Sequence, residues 1–276
     1  MKLITHKIWT YYNEDSSIKL RQQSELRKNE NTQFKIIKTY QDLVRNVAAL
    51  GFKNKGYFLL FRGQSKNYIT SRNHESLYAS IFRTEDGIRK LNSLEKANRW
   101  NTLEEKTQQL INKYPLNPEE GNEAKRTLER NKELAWAILQ HYEKCDTPYL
   151  DLTHSLRVAA SFATNDSNSG YVYVFGMPYP HGTISHFIDQ DIALIHLQSA
   201  CHYTAQRPHF QEGWLAGSYY LNENARVADQ NFSRRLIAKF HINNANSFWF
   251  WCHALVYIGV YWCICTFLRK GIKKVF

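Results

Sequence analysis

The sequence predicts an α+β protein: a mixed central sheet with helices on its faces, one main domain, and room for a hydrophobic helix at the C-terminal end. Three observations carry this. Helical periodicity dominates the first half of the chain, short apolar runs of strand character dominate the second, and no repeat, low-complexity tract or clean linker divides them. At 276 residues, 43% hydrophobic and 14% aromatic with only 12 Gly and 6 Pro, the chain can bury a sizeable core. The same figures exclude disordered, collagen-like and coiled-coil classes. The organisation expected is a polar extension over 1–35, the domain proper over 36–245 and a hydrophobic segment with a basic end over 246–276.

Residues 1–33 are polar apart from an aromatic patch at Ile8 to Tyr12, which suits an edge element followed by a solvated stretch. From Lys38, Tyr40, Leu43, Val47 and Leu50 recur at helical spacing, with Gly51 as the expected stop. Tyr57 to Phe61 is a continuous apolar run, the pattern of a strand buried on both faces, and it delivers Arg62, Gly63 and Gln64 to its end. Asp86 to Lys113 is charged and helix-like. Asn131 to Tyr142 forms a second amphipathic helix, with Leu134, Ala137, Ile138 and His141 or Tyr142 inward. Arg157 to Ala163 reads as a small-residue helix that packs closely, and Gly170 to Phe175 as a strand. Ile184 to Leu197 and Trp214 to Tyr220 supply further strand-like runs.

Net charge is +11, from 36 Lys and Arg against 25 Asp and Glu. Its distribution is uneven: 19 against 9 over residues 1–100, 8 against 13 over 101–200, and 9 against 3 over 201–276. Basic flanks favour a phosphate-rich ligand or nucleic acid, and equally suit an ordinary soluble surface. The five cysteines are scattered without metal-ligand spacing, as in a reduced cytoplasmic chain. The N-terminus turns polar too early for a signal peptide. Phe248 to Leu268 carries no charged residue and is followed by Arg269, Lys270, Lys273 and Lys274. That length fits a membrane span through 248–268, which would make the protein membrane-associated. Its β-branched and aromatic crowding, and basic residues on both sides, fit a buried terminal segment or one altered by a frame error.

Arg62 stands between a buried-type strand and a glycine, where a guanidinium can fork onto phosphate or carboxylate and Gly63 lets a ligand approach the backbone. An internal ion pair is the competing use. Ser80 to Arg83 forms a second polar and basic group. Gln140, His141 and Tyr142 end a helix, and Thr147 to Ser155 packs Thr, Asp, Thr, His and Ser into nine positions before the small-residue helix, with Thr153 or Ser155 as its N-cap. A His, Ser and Asp nucleophilic set is conceivable there, but no Gly-x-Ser-x-Gly elbow supports it. Arg207 to Trp214 is the third polar cluster, where Gln211 or Glu212 precedes an apolar run.

Three blocks in this order, Phe61-Arg62-Gly63-Gln64 with Ser-Ile-Phe-Arg downstream, Leu139 to Ala163, and Arg207 to Trp214, resemble the FRG domain, a family found largely in bacterial and phage proteins. The resemblance covers roughly residues 36–240, and its middle block is the most specific. Ala79 stands where the family usually has Pro, and Tyr149-Leu150-Asp151-Leu152-Thr153 replaces its usual Leu-Leu-Asp-Trp-Thr. The arrangement also resembles the arginine, serine and glutamate triad of NAD-dependent ADP-ribosyltransferases. That likeness implies NAD as substrate, with Arg62, Gly63, Gln64 and His141 on the cofactor side and Thr153 or Ser155 orienting the ribose. It implies Glu212 or Gln211 at the developing positive charge. An unknown macromolecule would be the acceptor, within bacterial or phage conflict. The alternative is a non-catalytic module that binds a nucleotide, nucleic acid or protein.

Overall fold

The computed structural model describes residues 1–11, 17–27, 34–70, 73–84, 91–113, 123–165, 168–200, 206–219, 221 and 224–243. Its strands are β1 (Lys7–Tyr11), β2 (Ile18–Gln22), β3 (Lys35–Ile37), β4 (Phe58–Gln64), β5 (Leu150–Thr153), β6 (Ser169–Met177), β7 (Ile184–Phe187), β8 (Ile192–His196), β9 (Gly213–Gly217) and β10 (Leu236–Asn243). Its helices are α1 (Gln23–Leu26), α2 (Tyr40–Lys53), α3 (Ser93–Lys113), α4 (Glu123–Arg130), α5 (Lys132–His141), α6 (Leu156–Thr164), α7 (Leu197–Ala200) and α8 (Gln206–Phe210). β1 and β2 form a hairpin. The other eight strands form one sheet in the order β3-β10-β6-β4-β5-β9-β8-β7. Among the described residues only β3 and β10 pair in parallel, so the sheet is mixed, as the sequence predicts.

α2 forms for the expected reason: Leu43, Val47 and Leu50 fall on one face and are buried, and Thr39 caps the N-terminus by accepting the Asp42 amide. Gly51 does not stop it. The helix runs to Lys53, where the Asn54 amide and side chain both bond the Leu50 carbonyl and the side chain also bonds Trp9, which ties the end to β1. The polar extension is likewise part of the fold, because Ile4, Ile8, Tyr11 and Leu26 join the main core around β6 and β10. A second core lies where α3 and α5 meet the β5, β8 and β9 end of the sheet, with Trp100, Trp136 and Tyr149 at its centre.

The run Ile184 to Leu197 is two strands rather than one, joined by a turn in which Asp191 takes a φ of 52°. α6 is the small-residue helix foreseen from Arg157 to Ala163. Among the described residues no helix is long and apolar enough to cross a membrane. The apolar stretch 248–268 lies outside the described residues.

Candidate functional site

The sheet is nearly divided at its middle. β4 and β5 share a single paired position, Phe61 with Thr153, whereas β4 pairs along its whole length with β6. Thr153 pairs on its other side with Gly213 at the start of β9. Phe61, Thr153 and Gly213 therefore form one row across three strands, with Arg62 one residue after the first and Glu212 one residue before the last. Because β4 and β9 both run antiparallel to β5, Arg62 and Glu212 fall on opposite sides of that row, two strands apart across the sheet and two residues apart along it.

Past the Phe61–Thr153 pair the strands diverge, and the Arg62 side chain spans the gap, its Nη1 donating to the Asp151 carbonyl at 2.7 Å. Burial, reinforced by the neighbouring Arg83, pulls the Arg62 guanidinium down to about 10, with Asp151 opposing the shift. Arg83 is lowered chiefly by burial as well, and its Nε donates to the Tyr78 carbonyl at 2.6 Å. Asp151 Oδ1 accepts from Gln140 Nε2 at 2.7 Å, and Gln140 Oε1 accepts the Thr147 hydroxyl. The Thr147 amide in turn donates to Ser80 Oγ at 3.0 Å. Arg99 donates to the carbonyls of Ser80 and Arg83 and faces Asp146 at 3.5 Å. The first two sequence blocks thus meet in one network, in which three arginines stand against two aspartates. Arg62 Nε and Gln64 Oε1 are buried without a hydrogen-bond partner. A desolvated Arg62 guanidinium beside the exposed Arg83, with positive charge in excess, suits an anionic group.

Gly63 serves packing instead. A Cβ there would lie 1.8 Å from the Ala159 carbonyl oxygen and 2.6 Å from the Ala163 nitrogen. The close approach expected of a ligand is thus made by the backbone of α6, and Gly170 is covered in the same way by Ala163. His141 is buried, its Nε2 has no partner, and burial aided by Arg207 pulls its pKa down to about 4. Its carbonyl accepts from Arg207 Nη1 at 3.0 Å, so the third block is bolted to the second.

The Glu212 side of the row is built differently. Thr153 Oγ1 lies 2.8 Å from the Gln211 carbonyl and 3.1 Å from that of Glu212, and it accepts the Ser155 amide at 3.0 Å. Thr153 therefore fixes the turn before β9. Ser155 occupies the N-cap position of α6, but its hydroxyl makes no capping bond. Of the two third-position candidates, Glu212 has the positioned carboxylate: Oε2 is 3.1 Å from His154 Nε2 and Oε1 is 3.5 Å from Arg157 Nη2. Gln211 contributes its carbonyl. Trp214 Nε1, which can only donate, bonds His154 Nδ1 at 3.0 Å. His154 Nδ1 is therefore an acceptor, and its Nε2 carries the proton donated to Glu212. Glu212 holds a φ of 47°, a left-handed conformation at a helix end where glycine is favoured.

Sequence reasoning foresaw Arg62, Thr153 and Glu212 as one set but missed Gln140, Asp151, His154, Arg157 and Trp214 as their partners. All five lie within or beside the three blocks, and the signal available for them was a polar side chain next to a strand end. Residues 58–171 match the family model of the FRG domain, so the chain carries an FRG domain over that span. The match takes in Arg62, Thr153 and Arg157 and ends before Glu212. No curated protein and no solved structure matches the chain.

Proposed function

We propose that the chain binds NAD across the Phe61–Thr153–Gly213 row, between Arg62 and Glu212, and transfers its ADP-ribose to a macromolecular acceptor. The observation that carries this reading is the grouping around the Phe61–Thr153–Gly213 row: a desolvated arginine and a positioned carboxylate flank a hydroxyl-bearing strand end on three adjacent strands.

Arg62 and Arg83 would hold the diphosphate through charge-assisted hydrogen bonds, and Gln64 Oε1 would accept from a ribose hydroxyl. Thr153 has its hydroxyl committed to the turn, which leaves Ser155 as the hydroxyl available to the ribose. Glu212, oriented by His154 and Arg157, would face the anomeric carbon. As the bond from that carbon to the nicotinamide nitrogen breaks, nicotinamide leaves with the bonding pair and the carboxylate stabilises the cationic sugar. The acceptor's nucleophile then bonds the anomeric carbon and gives up its proton. One observation favours the second reading, a nucleotide-binding module without turnover: the Glu212 carboxylate is already engaged by Arg157 and His154.

The test is nicotinamide release from NAD by the full chain, with cell extract as acceptor, beside Arg62→Ala and Glu212→Gln. Release that both substitutions abolish supports the enzyme. Absence of release together with NAD binding leaves the binding module, and absence of both overturns the two readings.

A further inference from the structure

Beyond Trp214 lies a hydrogen-bonded chain that the NAD reading does not use. His196, at the end of β8, stacks on the Trp214 indole with ring centroids 4.3 Å apart and planes 15° from parallel. Its Nε2 is 3.2 Å from Gln198 Oε1, and its Nδ1 is 2.7 Å from the Ser199 hydroxyl. The proton positions follow from what each atom is able to do. Gln198 Nε2 donates to the His209 carbonyl, an acceptor only, at 3.3 Å. The end of the amide that faces His196 is therefore its oxygen, and His196 Nε2 must carry the ring proton. That leaves Nδ1 as a lone pair, able only to accept, and the Ser199 hydroxyl donates to it. Burial holds His196 below its ordinary pKa, helped by His154 and His209 and opposed by its bond to Gln198, so the imidazole is neutral at pH 7. Ser199 itself is exposed.

We propose that Ser199 is a nucleophilic serine that accepts acyl groups from activated esters, with His196 as its general base and Gln198 as the positioning residue that sets the tautomer. An amide oxygen holding the far nitrogen of the base is the division of roles used in Cys-His-Asn sites. In the step, the Ser199 Oγ–H proton passes to His196 Nδ1 while Oγ bonds the acyl carbon. The alcohol or phenol then departs, taking that proton. A base and its orienting group alone favour a single acylation over rapid turnover, so the readout is the adduct.

The experiment incubates the full chain with p-nitrophenyl acetate and maps acetylated residues by peptide mass spectrometry over time. Ser199 should acquire one acetyl group, and Ser199→Ala, a change at an exposed site, should lose that adduct with the fold intact. His196→Gln should slow the acetylation by about 100-fold. Gln198→Leu should slow it too, and Gln198→Glu, which keeps an oxygen facing Nε2, should restore it, an outcome that a merely structural role would not produce. No acetyl at Ser199 in the parent chain, or an equal rate in His196→Gln, overturns the proposal.

Discussion

Arg62 and Glu212 flank the Phe61–Thr153–Gly213 row on opposite sides, two strands apart, in opposite electrostatic states. Around Arg62 charge is in excess: burial and then the neighbouring Arg83 lower its pKa, and Arg62 Nε and Gln64 Oε1 lack partners. Around Glu212 the bonds close on themselves, the carboxylate on His154 and Arg157 and His154 on Trp214. The difference separates two tasks. On the proposed reading the Arg62 side gains a ligand's charge, while the Glu212 side holds one carboxylate still.

The frame of the Arg62 side is the most sensitive to change. Gly63→Ala would drive a methyl group into the α6 backbone, which cannot move as a flexible side chain can. A loss of about 3 kcal/mol or more is expected, read as a fall in the urea midpoint or failure to accumulate folded protein. Gly56→Ala, with nothing within 4 Å, should be nearly neutral and serves as the control.

Arg62 pairs across the sheet with Tyr173, which pairs with Lys239, and Lys239 forms a fully buried ion pair with Glu75. Burial raises the Glu75 pKa, with Lys239 opposing it. Lys239→Met leaves that carboxylate alone in the core and should cost about 3–5 kcal/mol, while Lys239→Met with Glu75→Leu should recover most of the loss. Equal destabilisation in the single and double variants would show that packing around the pair, rather than its charge, holds this side together.

His141 gives the next effect. Its folded-state pKa of about 4 lies below the 6.5 of the free side chain, so the unfolded chain takes up the proton first. Stability from keeping His141 neutral is complete above pH 6.5 and is lost as the pH falls from there toward 4. At about 1.4 kcal/mol per pH unit this is worth up to roughly 3 kcal/mol. Unfolding midpoints of the parent chain and His141→Gln, followed across that range, should converge as the pH drops.

The smallest effect is on the Glu212 side. Glu212→Gly relieves a left-handed backbone and should raise stability by up to about 1 kcal/mol in chemical denaturation while removing the carboxylate. A gain in stability with a loss of nicotinamide release would show that the strained residue is held for its chemistry. A loss in both would assign Glu212 to structure.

The sequence was most informative where local pattern and burial agree. α2, α6 and the apolar start of β4 follow from spacing alone, as does the existence of α5, although α5 buries Ala135, Trp136 and Leu139 beside the expected Ala137 and His141 and leaves Leu134 and Ile138 half-buried. β10 was not foreseen, because its position between β3 and β6 depends on contacts with segments far away in the chain. Arg62, Thr153 and Glu212 were legible as polar residues at strand ends. The use of Gly63 was not, since a glycine made for a ligand and one made for a helix look alike until α6 is seen lying on it. The tautomer of His154 depends on Trp214, 60 positions later, and no spacing rule connects them.

The most direct test of the division between the two sides is calorimetric titration of the full chain with NAD, run beside Arg62→Ala and Glu212→Gln. The expected result is a split: Arg62→Ala weakens binding by about tenfold or more, whereas Glu212→Gln keeps the parent affinity and loses nicotinamide release. Unchanged affinity in Arg62→Ala, or no NAD binding by the parent chain, would contradict the assignment of the Arg62 side to the ligand's charge.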